Sequence, residues 1–153
     1  MFITYLIYFF TWIFTIYRMS LSNLNIFNKN LKSIEIPINV TTLAPFVFDD
    51  CDQLTEIKLS SSLTTIPEGC FAFCPNLKIV NIPYRVNLID DYAFFNAESP
   101  TSKLSEVFIP ESVTTINSNA FSGNVNLVIY CKADWVKKQL ENEPDFKGKV
   151  VVT

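Results

Sequence analysis

Four stretches of the chain set their apolar residues in the same order: "LKSIEIPINVTTLAPFVF" from Leu31, "LTEIKLSSSLTTIPEGCF" from Leu54, "LKIVNIPYRVNLIDDYAF" from Leu77 and "LSEVFIPESVTTINSNAF" from Leu104. A fifth start falls at Leu127, so successive leucines lie 23, 23, 27 and 23 residues apart. Counted from each leucine, position 4 holds Ile34, Ile57, Val80 and Val107, and position 6 holds Ile36, Leu59, Ile82 and Ile109. That alternation is the mark of a strand with one buried face. Position 7 is Pro37, Pro83 and Pro110, with Ser60 as the exception; proline there removes a ladder donor, so the strand ends and the chain turns. Position 10 is Val40, Leu63, Val86 and Val113, position 13 is Leu43, Ile66, Ile89 and Ile116, and position 18 is Phe48, Phe71, Phe94 and Phe121. One such coil cannot cover its own apolar side, whereas coils stacked in register bury one another along a single axis. The expected fold is a solenoid of about four 23-residue coils, built mainly of short β-strands and turns, with the phenylalanines as a column of rings.

The pattern "LxxIxIPxxVTxIxxxAF", clearest in residues 104 to 121, resembles the BspA-like leucine-rich repeats, a family of bacterial and protozoan surface proteins. The resemblance runs from residue 31 to about 132. It departs at Ser60, at Leu88 in place of the second threonine, and at a four-residue insertion within "NAESPTSK", residues 96 to 103, which is expected to loop out without disturbing the stack. The resemblance implies a leucine-rich-repeat solenoid of the α/β class and a non-catalytic role in adhesion or host and matrix contact.

The two ends leave the pattern. In "ADWVKKQLENEPDF", Asp134 is read as the N-cap of a short helix whose Trp135, Val136 and Leu140 share a face, and "KVVV" at 149 to 152 as an edge strand. Residues 133–153 are thus a cap over the open end of the stack. At the other end, "MFITYLIYFFTWIFTIY" has no charged side chain before Arg18. As a helix it would span about 25 Å, somewhat short of a hydrocarbon core of about 30 Å. Four readings stand for residues 1–18: an anchor or membrane association through residues 2–17; a signal sequence cut after Ser22, although no Lys or Arg precedes its apolar core; an extension ahead of a true start at Met19; or a buried strand-forming segment. Residues 19–30 flank the repeats.

Composition narrows the chemistry. With 153 residues one domain is expected, and a net charge of -3 offers no basic patch for nucleic acid. The chain has no histidine, which removes the usual base near neutral pH and the commonest metal ligand. Its three glycines form no phosphate loop, and no cofactor or metal is expected. Of the four cysteines, Cys51 and Cys74 share position 21 and are the only geometric candidates for a bridge, but parallel side chains on adjacent coils keep their β-carbons too far apart, so buried thiols and no disulfide are expected. Asp49, Asp50 and Asp52 lack calcium-loop spacing and read as a solvated acidic corner. The threonine pairs, such as Thr114 with Thr115, read as surface turn and strand residues, and the sequon at Asn39 matters only in a secretory lumen.

Strand positions 3 and 5 face away from the core, giving Ser33, Glu56, Ile79 and Glu106 in one column and Glu35, Lys58, Asn81 and Phe108 in the other. Ile79 and Phe108 break an otherwise polar face, beside Asn81, Glu106, Tyr84 and Arg85. These six are the candidate binding residues for a protein partner, a host or extracellular-matrix protein, on a secreted or cell-surface chain. The alternative is a cytoplasmic scaffold or repeat fragment beginning at Met19.

Overall fold

The computed structural model describes residues 29–96 and 102–153. The apolar run before Arg18, the cut after Ser22, the start at Met19 and the middle of the insertion lie outside the described residues.

Each coil opens with a short strand at repeat positions 3 to 5: β1 (Ser33–Glu35), β2 (Glu56–Lys58), β4 (Ile79–Asn81) and β6 (Glu106–Phe108). A second, two-residue strand follows the turn in three of them, as β3 (Thr65–Ile66), β5 (Leu88–Ile89) and β7 (Thr115–Ile116). β8 (Val128–Cys131) opens a fifth coil, which runs through helix α1 (Asp134–Glu141) to β9 (Lys149–Val152). All pairings are parallel. The ladders are β1-β2, β3-β5-β7 and β4-β6-β8-β9. β2 and β4 are neighbours, but no ladder joins them, so the strand face is hydrogen-bonded in two parts.

The repeat maps directly onto the core. Phe48, Phe71, Phe94 and Phe121 are fully buried. Their rings stack with centroids 5.4, 5.3 and 5.3 Å apart and planes within 3°, 16° and 1° of parallel. Each buried ring contributes about 1.5–3 kcal/mol by apolar transfer. Ile34 and Leu59 are only partly buried but pack on the same core.

The turn after the strand is the same in the first four coils, because the position 10 amide donates to the position 7 carbonyl: Val40 to Pro37, Leu63 to Ser60, Val86 to Pro83 and Val113 to Pro110. Ser60 therefore keeps the turn without proline, and its buried hydroxyl donates to the Val40 carbonyl of the coil below at 2.8 Å.

Asn124 holds the described ends of the insertion. Its Oδ1 accepts from Ser102 Oγ at 2.7 Å and Asn96 Nδ2 at 3.2 Å, all three side chains being buried. β4 and β6 pair in register across the extra residues, Val80 opposite Val107, so the stack is undisturbed.

Two expectations change at the C-terminus. The N-cap of α1 is Ala133, with no side-chain capping bond, and Asp134 is instead in the first turn, where its charge faces the positive end of the helix dipole. The fifth coil also loses a residue: Val107 pairs with Ile129 although Leu104 and Leu127 are 23 apart, so β8 is shifted one place relative to the leucine count. Val136 and Leu140 of α1 are buried, Trp135 is partly so, and β9 extends the ladder beyond β8.

Candidate functional site

The ladders carry the two outward columns on into β8 and β9. Glu106 stands opposite Val128 and Phe108 opposite Tyr130, and these in turn oppose Lys149 and Val151. The face changes character along the stack. Near β1 and β2 it is polar, with Lys58 Nζ 2.6 Å from Glu35 Oε1 and both side chains in water, an arrangement that adds little stability.

From β4 onward apolar side chains join the polar ones on the face, as Ile79, Phe108, Val128, Tyr130 and Val151. Ile79 is 45% exposed and Phe108 40%. Ile79 pairs with Glu106 and Asn81 with Phe108, so Ile79 and Phe108 are diagonal neighbours rather than direct partners. Phe108 instead stacks on Tyr130, centroids 5.0 Å apart and planes 12° from parallel. Tyr130 was not among the sequence candidates because counting from Leu127 puts it at an inward position; the residue lost before β8 turns it outward. The hydrophobic signal that finds it is Ile129 and Cys131, both buried, flanking a half-buried Tyr130.

Where the strands end, an open groove of about 450 Å³ is lined by Tyr84, Ile109, Pro110, Glu111, Ser112 and Lys132. Tyr84 is 74% exposed. Lys132 Nζ and Glu111 Oε1 are 3.5 Å apart on its wall. Of the candidates, the structure gathers Ile79, Asn81, Glu106 and Phe108 on one ladder and sets Tyr84 on the groove; Arg85 is exposed but does not line it.

In the acidic corner Asp50 and Asp52 are solvent-accessible, as expected, and Asp49 is the exception. Asp50 Oδ2 meets Lys29 Nζ at 2.6 Å and Asp52 Oδ2 lies 3.8 Å from it. Asp49 Oδ1 is buried with no hydrogen-bond partner among the described residues, and burial first, then the Asp50 charge, raises its pKa above the ordinary carboxylate value. Among the described residues no group of three or more His, Cys, Asp or Glu side chains is placed to hold a metal ion.

Parallel coils of 21 to 27 residues, a continuous phenylalanine column and an outward strand face define a leucine-rich-repeat solenoid. Residues 18–130 match the BspA type leucine rich repeat region in six copies, and the chain belongs to that family. The match begins upstream of Leu31, outside the described residues. Solved structures agree. A leucine rich cell surface protein from Faecalibacterium prausnitzii A2-165 is 35% identical over 67% of this chain and 26% of its own, with a TM-score of 0.61. A leucine-rich repeat protein from Bacteroides ovatus ATCC 8483 is 25% identical over 67% of this chain and 32% of its own, with a TM-score of 0.57. The pneumococcal vaccine antigen PcpA, 19% identical over 83% of this chain and 37% of its own with a TM-score of 0.54, shares the fold. The chain thus spans about a quarter to somewhat over a third of these proteins. A comparison with proteins of curated function gave no significant match.

Proposed function

We propose that this chain is a non-catalytic protein-binding module of a secreted or cell-surface protein, which engages a host or extracellular-matrix protein along its exposed strand face. The observation that carries the reading is the Phe108–Tyr130 stack beside Ile79: an exposed ring stacked on a half-buried one on the face where neighbouring coils align. A partner laid along that face touches several coils at once and gains area without a closed pocket. Desolvated aromatic anchors carry most of the energy of such contacts, and the groove behind Tyr84 offers room for a partner side chain. Surface placement is supported by the Faecalibacterium neighbour, a leucine rich cell surface protein. Among the described residues no helix is long and apolar enough to cross a membrane, so this part of the chain offers no anchor of that kind.

The test is binding of the full chain to a panel of immobilised extracellular-matrix proteins, with Ile79→Ser/Phe108→Ser alongside. The double variant is expected to keep the parent's thermal midpoint, since surface substitutions usually change stability by within about 0.5 kcal/mol. It should lose about 2 kcal/mol or more of affinity for any protein the parent binds. Binding as tight as the parent's would remove the strand face as the site.

A further inference from the structure

Each of the four repeats enters the left-handed region of backbone space three residues after its inward residue at position 13. At position 16, Phe46, Gly69, Tyr92 and Asn119 have φ of 56°, 56°, 56° and 59°. At position 20, Asp50, Phe73 and Gly123 have φ of 57°, 50° and 80°. Glycine, asparagine and aspartate take this conformation at low cost, and four of the seven residues are of those types. Phe46, Phe73 and Tyr92 are not. Nor does burial compensate, for they are 40%, 44% and 41% exposed. Each is an aromatic residue on an unfavourable backbone with a large part of its ring still open to water.

Adjacent coils gather them into one ridge. The Phe95 ring packs edge-on against Phe73, with centroids 5.4 Å apart, and against Tyr92 at 5.5 Å. The Phe46 ring lies over Gly69, where an added Cβ would fall 2.1 Å from its Cε1, so the glycine leaves the room the ring occupies. The rim is acidic. Exposed Glu68 precedes Gly69, Asp91 precedes Tyr92, and Glu143 lies close enough to feel the Asp91 charge, which adds to the effect of burial in raising its pKa. Among the described residues, Lys29, held by Asp50, is the cation within ion-pair distance of this edge.

We propose that this ridge is a second docking surface, separate from the strand face, and that it takes an arginine-rich segment of a protein partner. Guanidinium groups lie flat on Phe46, Phe73 and Tyr92, and Glu68 and Asp91 supply the opposite charge. Arginine suits the site better than lysine because its planar, weakly hydrated cation stacks on ring faces while its edge still donates to carboxylates.

The test is fluorescence anisotropy of labelled nona-arginine and nona-lysine peptides titrated with the full chain at physiological ionic strength. Nona-arginine is expected to bind more tightly than nona-lysine. Phe73→Asn/Tyr92→Asn should weaken nona-arginine about tenfold, from two exposed cation–π contacts. Asparagine is natural at position 16, as Asn119 shows, so this variant should melt cooperatively; if it does not, Phe73→Leu/Tyr92→Leu removes the ring faces while keeping the apolar bulk. Ile79→Ser/Phe108→Ser should leave peptide binding unchanged, which separates this surface from the strand face. Equal binding of the two peptides, or a folded aromatic variant within about twofold of the parent, would reduce the contact to the attraction of an acidic chain and overturn the proposal.

Discussion

Cys74 and Asn124 occupy the same place in different coils and donate to the same acceptor, the carbonyl of the phenylalanine one coil below. Cys74 Sγ reaches Phe48 O at 3.1 Å, and Asn124 Nδ2 reaches Phe94 O at 2.7 Å. In these two coils position 21 is thus a donor that ties the ring's backbone to the coil above it, whereas the repeat from Leu77 has Ala97 at that place. Asn124 also donates to Phe121 O at 2.9 Å and accepts from Ser102.

Asn124→Leu takes the side-chain donor from those buried carbonyls and the acceptor from the Ser102 hydroxyl, and is expected to cost roughly 3 kcal/mol. Asn124→Cys restores the Phe94 bond, as Cys74 makes it, and should cost less. Urea midpoints at unchanged m-value read the difference. Equal losses would mean that position 21 is packing alone.

The ring column makes a stronger demand. Phe94 is 1% exposed and stacks on Phe71 and Phe121 at 5.3 Å each. Phe94→Ser removes both contacts and buries a hydroxyl, so a loss of about 3–5 kcal/mol is expected. Loss of a cooperative melt in the variant would agree; a midpoint near the parent's would mean that the coils hold together without the column.

How much of this was legible depended on what each position asks for. The inward columns require only apolar bulk at fixed spacing, so Val80, Ile89 and Phe94 could be placed by counting. Position 21 carries a donor in two coils, as Cys74 and Asn124, and cysteine and asparagine share no hydropathy by which to align them. Positions 16 and 20 require a backbone sign, which Gly69 and Asn119 announce and Phe46 and Tyr92 conceal. On the strand face, alternation exposes Ile79 and Phe108 but does not offer Tyr130, because one missing residue inverts every side chain after it. Ala133 at the helix N-cap carries no side-chain signal, and the nearby Asp134 drew the assignment instead.

The buried thiols predict a pH dependence. Burial pushes the Cys70 thiol well up, and Cys74 is raised first by its hydrogen bond with Cys51 and then by burial. Their folded pKa values lie above the unfolded value of about 8.5, so the stability they contribute is whole below that pH and is lost as pH rises past it, because only the unfolded chain then releases protons. The limiting slope is about 1.4 kcal/mol per pH unit for each thiol. Urea unfolding from about pH 8 to 10 under a phosphine reductant should show the decline. Cys70→Ala, which matches Ala93 and Ala120 at the same place in later coils, should flatten it.

The last prediction concerns how the stack ends. β7 is the outer strand of the β3-β5-β7 ladder, and its free edge would invite pairing with another chain. Helix α1 stands where the fifth coil would place its own second strand: Gln139 Nε2 donates to the Ile116 carbonyl of β7, while Val136 and Leu140 go into the core. One side chain therefore meets the edge acceptor and two cover the apolar end. Leu140→Ala opens a cavity beneath the helix and is expected to cost about 2–5 kcal/mol, whereas Gln139→Ala loses one partly exposed hydrogen bond, at about 1 kcal/mol. If covering the edge is what the helix does, Leu140→Ala should also raise the apparent mass in light scattering at temperatures well below its melt, and Gln139→Ala much less. A Leu140→Ala protein that is destabilised yet stays at the parent's mass would show that β7 is protected by the rest of the coil and that the helix contributes stability only.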